Sequence, residues 1–212
     1  MAAGKTAVRK KGPVRFAVVG LGYFAQVAIL PAFRHAPNAK LVALVSDDAV
    51  KRRELSRKYR VEKTFGYEEY DACLKEVDAV YLALPNDLHR EYAIRAARRG
   101  VHVLCEKPLA VTEAACRAMI AAAKRGKVFL MTAYRLHLNA ANLRAVGHIR
   151  RGAIGEPRIF NSVFTMQVGR DNIRTERARG GGTLYDIGVY CINAARNLFR
   201  AEPTEVSATS IN

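Results

Sequence analysis

At 212 residues, half of them apolar, the chain is long enough for one large domain, or for one domain and part of another. It carries 35 Lys and Arg against 19 Asp and Glu, a formal net charge of +16, with Lys5, Arg9, Lys10 and Lys11 in a basic N-terminal arm over residues 1–12 and Arg15 just beyond it. No aromatic-rich basic motif accompanies that charge, no apolar run approaches membrane-spanning length, and the N-terminus lacks the apolar stretch of a secretory signal. These features argue against a nucleic-acid or membrane partner. Cys73, Cys105, Cys116 and Cys191 lack paired or metal-ligand spacing, which predicts reduced thiols, no metal site and a cytoplasmic location.

In chain order, residues 14–19 read as a strand. A glycine turn follows, then a helix over about 23–34 that Pro31 should kink or end. Residues 41–45 form a second buried strand and 49–59 a charged helix. The apolar run 78–84 is broken by Pro85-Asn86-Asp87. Residues 90–99 read as a helix closed by Gly100, and 101–105 as a strand. Thr112 is a good N-cap for a helix that runs to 125 and that Gly126 should stop, before a strand at 128–131. Apolar strands alternating with helices predict an α/β fold, a doubly wound parallel sheet covered on both faces, over residues 13–133.

After Ala133 the rhythm changes. Residues 139–151 read as a helix, 152–157 as a loop, and 158–165 alternate like a strand. Residues 167–182 are polar and rich in Arg and Gly, 182–199 look helical, and 205–211 look like one more strand. Residues 134–212 therefore read as the start of a second α/β domain.

Gly20-Leu21-Gly22-Tyr23-Phe24-Ala25 lies between a strand and a helix, the context a dinucleotide fingerprint needs. Gly20 permits the tight turn, Gly22 lets backbone N–H groups approach a pyrophosphate, and Ala25 allows close helix–strand packing. The second strand ends at Ser46-Asp47-Asp48. An acid there accepts from ribose hydroxyls and argues for NAD. Ser46, Lys51, Arg52 and Arg53 argue for the 2′-phosphate of NADP, although Arg53 reads better as part of a solvated helix face, and that choice stays open. Glu106-Lys107-Pro108 ends another apolar strand, where open α/β sheets bind ligands. An ammonium there can polarise a carbonyl or lower the pKa of a phenol. Asp186 and Tyr190 are four apart in a helical run, a spacing that puts both on one face.

These segments, with Leu84-Pro85-Asn86-Asp87-Leu88-His89, Ala133-Tyr134-Arg135 and Gly180-Gly181-Gly182-Thr183-Leu184-Tyr185-Asp186-Ile187-Gly188-Val189-Tyr190, occur in an order that resembles the glucose–fructose oxidoreductase/inositol dehydrogenase/rhizopine-catabolism (Gfo/Idh/MocA) family over residues 13–212. The resemblance implies a Rossmann domain followed by an α/β domain with an open, mainly antiparallel sheet, through which a complete protein would form homo-oligomers. It also implies NAD or NADP as cofactor and a sugar, polyol or related diol as substrate. Lys107 would be the catalytic lysine and Asp186 its partner, and Leu84, Pro85, Asn86, His89, Glu106 and Arg135 would line the cofactor. The Lys107–Pro108 peptide would be cis. Many members carry His where this chain has Tyr190; the Asp-Ile-Gly-x-Tyr form resembles a branch in which Tyr is the acid/base. The family's second domain runs through several more strands, so the chain reads as truncated. The expectation is an NAD(P)-dependent oxidoreductase acting on CH–OH groups, and the alternative is a dinucleotide-binding fragment without turnover.

Overall fold

The computed structural model describes residues 12–170 and 172–209, so nearly all of the basic arm and the end of the expected last strand lie outside the described residues. The chain divides into two compact units, residues 1–132 and 133–212.

The first unit is a single sheet of six strands: β1 (Val14–Val19), β2 (Ala39–Val45), β3 (Lys63–Phe65), β4 (Ala79–Leu82), β5 (His102–Cys105) and β6 (Leu130–Thr132). All pairings are parallel and the order is β3-β2-β1-β4-β5-β6. The central strands are apolar throughout because helices cover both faces, and Ala17, Val18, Val19, Val45, Val80 and Leu82 are fully buried. Register sets the site. Val19 pairs with both Val45 and Leu82, and Leu82 with Cys105. Hence Gly20, Ser46, Ala83 and Glu106, the next residue in each case, leave the same edge of the sheet. The order of strands reverses between β1 and β4, the switch point at which such sheets bind ligands.

The connecting helices follow their sequence signals, with two differences. Pro31 does not end the first helix. A wide π turn (Ala25–Ile29) precedes α1 (Leu30–Ala32), and the coil runs on through a 3-10 turn to His35. The widened turn, closed by Leu30 N–H to Ala25 O, makes room for a ring that would otherwise meet a carbonyl of the preceding turn. Gly126 does not stop its helix either. After α2 (Ala49–Tyr59), α3 (Tyr70–Cys73) and α4 (His89–Arg98) in chain order, α5 (Glu113–Gly126) includes Gly126 and ends at Lys127 in left-handed conformation, φ 54°. A Cβ on Gly126 would lie 2.1 Å from Ala97 O, so this glycine serves the close approach of α4 and α5. Gly100 does cap α4, at φ 74°, with Val101 N–H bonded to Ala96 O at 3.0 Å. Thr112 caps α5 by accepting from Ala115 N–H at 3.1 Å.

The second unit holds α6 (Ala140–Arg150), capped by Asn139, and α7 (Val189–Phe199), which continues a π turn at Leu184–Gly188. The strands expected at 158–165 and 205–211, and with them the open antiparallel sheet, are not formed among the described residues of this unit. Alternation marks a face to bury, but a strand also needs a partner backbone, and residues 158–165 make no ladder bonds. Ile159 and Val163 accordingly stand exposed. Among the described residues, no helix is long and apolar enough to cross a membrane, and no group of His, Cys, Asp and Glu could hold a metal ion. All four cysteines are free thiols, and burial pushes Cys73 up to about 12.

Candidate active site

Gly20 sits at φ 91°, and a Cβ there would lie 2.5 Å from Ala83 O. Its N–H donates to Val45 O at 3.0 Å, while Ala83 N–H donates to Val19 O at 2.8 Å. The turn is thus clamped between the ends of β2 and β4, and only glycine fits. Leu21 is buried, Gly22 and Tyr23 are exposed, Phe24 is half-buried and Ala25 is buried against the sheet. Gln26 Nε2 donates back to Leu21 O at 2.8 Å, and Gln26 N–H makes the bond to Gly22 O at 3.2 Å. The amides just before it are those of a helix N-terminus, a position that attracts phosphate. Gly22 has open space where its Cβ would stand, so a pyrophosphate can approach the backbone there. The residues present therefore fit a dinucleotide.

At the end of β2, Asp47 Oδ1 accepts from Tyr67 N–H at 3.0 Å in an exposed position. Ser46 is buried, and its Oγ accepts from Asp48 N–H at 3.3 Å. Asp48 caps α2, accepting from Lys51 N–H at 2.9 Å and pairing with Lys51 Nζ at 3.0 Å, contacts that hold its carboxyl below its ordinary range. Of the cations weighed for a 2′-phosphate, Lys51 is therefore engaged by Asp48. Arg52 is the one folded over the strand end, its guanidinium donating to Ser46 O.

At the ends of β4 and β5, Leu84 is buried and Pro85 and Asn86 are half-buried. Glu106 N–H donates to Leu82 O at 3.0 Å, and its carboxylate accepts from the Tyr81 hydroxyl and, at 3.3 Å, from Lys107 N–H. Tyr81 was not singled out in the sequence, because a tyrosine in an apolar run reads as core. Lys107 follows half-buried, and the Lys107–Pro108 peptide is cis. His89, expected from the resemblance to line the cofactor, is packed between two carbonyls. It is 0% exposed, with Nδ1 2.9 Å from Pro108 O and Nε2 3.0 Å from Leu84 O.

In the second unit, Arg135 stands in a 3-10 turn (Arg135–Leu138), Asp186 in the π turn, and Tyr190 at the start of α7. Arg174 Nε donates to Asp186 Oδ2 at 2.8 Å. In the sequence, Arg174 is one residue of a polar, Arg-rich loop. The glycine run beside it was the available signal: Gly182 N–H donates to Arg174 O at 2.8 Å, and a Cβ on Gly181 would lie 2.6 Å from that same oxygen. The Tyr190 ring lies 6.0 Å from that of Tyr134, edge-on, and 5.8 Å from that of Phe164.

A glycine turn at the switch point, an acid at the end of β2 and a lysine after β5 define a dinucleotide-binding domain of the Rossmann class. The chain belongs to the GFO/IDH/MocA oxidoreductase family: residues 14–134 match its NAD-binding Rossmann fold and residues 142–212 its C-terminal domain. It is 36% identical to an uncharacterized oxidoreductase of Rhizobium meliloti, over 93% of this chain and 59% of that one. It is 34% identical to the NADP-dependent D-xylose 1-dehydrogenase of Haloarcula marismortui, over 93% and 57%. Among solved structures, aldose-aldose oxidoreductase from Caulobacter crescentus, complexed with glycerol, superposes with a TM-score of 0.82 at 39% identity, covering 90% of this chain and 59% of that one. The chain thus spans a little under three-fifths of the length of the relatives it matches.

Proposed function

We propose that the chain serves an NAD(P)-dependent oxidoreductase that moves hydride between nicotinamide C4 and a carbinol or carbonyl carbon of a sugar, polyol or related diol. The observation that carries this reading is the shared sheet end: the Gly20 turn and the Glu106-Lys107 loop leave it from β1 and β5, the strands on either side of β4. The bound nicotinamide supplies the hydride donor or acceptor, and the protein supplies position and proton transfer. Gly20 to Ala25 hold the pyrophosphate, and Asp47 accepts from the adenosine ribose. Glu106, fixed by Tyr81, holds the chain at Lys107. The proposed roles are acid/base for Tyr190, which takes the carbinol proton in the oxidative direction, catalytic lysine for Lys107, and orienting carboxylate for Asp186, held by Arg174. Tyr190 supports reading the chain as one of the Asp-Ile-Gly-x-Tyr branch. The named sugars of two relatives, D-xylose and aldoses, support the substrate class.

A second reading follows from the share of its relatives' length that the chain spans: a dinucleotide-binding piece that needs further strands for turnover. Titration of NADH and NADPH by fluorescence, followed by turnover on an aldose and polyol panel, tests both. Binding with turnover supports the enzyme, binding alone supports the piece, and no binding contradicts both.

A further inference from the structure

His89 opens α4 fully buried, and its imidazole bridges two loops: Nε2 faces Leu84 O, after β4, and Nδ1 faces Pro108 O, one residue beyond Lys107. Those strands are neighbours, with Leu82 paired to Cys105, so the ring spans the gap between two strand-end loops at the site. A neutral imidazole carries one N–H and donates to one carbonyl at a time. Burial pushes His89 toward that neutral form, although the carbonyls on both sides oppose it. The bond a neutral ring makes therefore decides which loop is held.

We propose that His89 is a positioning residue for Lys107: donating from Nδ1 to Pro108 O, it fixes the loop that presents the ammonium to the cofactor. This rests on the reading of Lys107 as the catalytic lysine. It assigns His89 a task inside the fold in place of contact with the nucleotide. The geometry offers a pair of conservative variants that separate the two bonds. The amide nitrogen of Asn stands close to the place of Nδ1, and that of Gln close to the place of Nε2. His89→Asn keeps the donor toward Pro108 O, and His89→Gln keeps the one toward Leu84 O. A merely structural role is damaged equally by both.

The test is acetylation of Lys107 by an N-hydroxysuccinimide ester, read by mass spectrometry with and without saturating NADPH. NADPH affinity is measured by fluorescence in each protein. In wild type and His89→Asn, NADPH is expected to slow modification of Lys107 at least fivefold. In His89→Gln that protection falls below twofold, while NADPH affinity stays within about threefold of wild type. Hydrogen exchange over residues 105–111, faster in His89→Gln alone, gives the same answer without chemical labelling. Equal protection and equal exchange in the two variants overturn the proposal. A wild-type chain that binds NADPH without protecting Lys107 overturns instead the placement of Lys107 beside the cofactor, and the proposal falls with it.

Discussion

Gly20 lies so close to Ala83 that a Cβ on the former would stand 2.5 Å from the carbonyl oxygen of the latter. The turn that would receive the pyrophosphate is therefore packed against the strand end on its other side. Gly22, two residues on, has nothing within 4 Å of its Cβ position. The two glycines should fail differently. Gly20→Ala adds backbone strain at positive φ to a clash with backbone and should cost about 2–4 kcal/mol of stability. Gly22→Ala should leave the melting temperature within about 2 °C of wild type, yet weaken NADPH binding at least about tenfold, roughly 1.4 kcal/mol. Thermal unfolding and fluorescence titration on both variants check this. Unchanged affinity in Gly22→Ala removes the pyrophosphate from that turn.

Gly126 offers a test of packing alone. Alanine is the better helix former by about 1 kcal/mol. Its methyl would meet Ala97 O at 2.1 Å and force α4 and α5 apart. Gly126→Ala is expected to destabilise by a net of about 1–3 kcal/mol in urea unfolding. A stabilised variant would show that the two helices do not approach so closely.

Much of the first unit was legible, because buried parallel strands are written as apolar runs and helix starts as capping residues. The runs at 14–19 and 101–105 and the cap at Thr112 needed no tertiary information. β3 was not legible: Lys63-Thr64-Phe65 is short and polar, and it is a strand because β2 offers it a backbone. Gly126 looked like a stop because glycine serves both helix ends and close packing, and only the neighbour helix tells them apart. In the second unit, alternation at 158–165 promised a strand whose partner no local pattern could supply. At the site, the glycine turn and Lys107 were readable as motifs. The contacts made by Tyr81, Arg174 and the His89 ring were not, since the bonds to Glu106, Asp186 and Pro108 each join residues twelve or more apart in sequence.

Arg174 should matter to the helix that bears Tyr190. Asp186 has a side chain 14% exposed, so its bond to Arg174 is partly shielded from water. Arg174→Met should cost about 1–2 kcal/mol, a charge-assisted bond discounted for the more exposed guanidinium. Arg174→Lys should recover less than half, because an ammonium lacks the planar fork. Urea midpoints, with hydrogen exchange over 184–199 to locate the loss, decide it. Wild-type behaviour in Arg174→Met would leave Asp186 held by other contacts.

Cofactor preference should turn on Asp47 and Arg52. Asp47→Gly removes an anion from the strand end and should shift the ratio of affinities toward NADP by at least about tenfold. Arg52→Ala should shift it toward NAD. Competitive titration of both nucleotides measures the ratios, and an unchanged ratio in Asp47→Gly would mean that its carboxylate serves Tyr67 N–H alone.

Lys107 is proposed to act in hydride transfer at the carboxyl end of a dinucleotide-binding sheet. This role is tested most directly by the rate of transfer from bound NADPH to an aldose panel in wild type and Lys107→Ala. NADPH affinities are expected to lie within about tenfold of each other, and the transfer rate to be lowered roughly 10²–10⁴-fold in the variant. A Lys107→Ala protein that turns over at the wild-type rate would contradict that role.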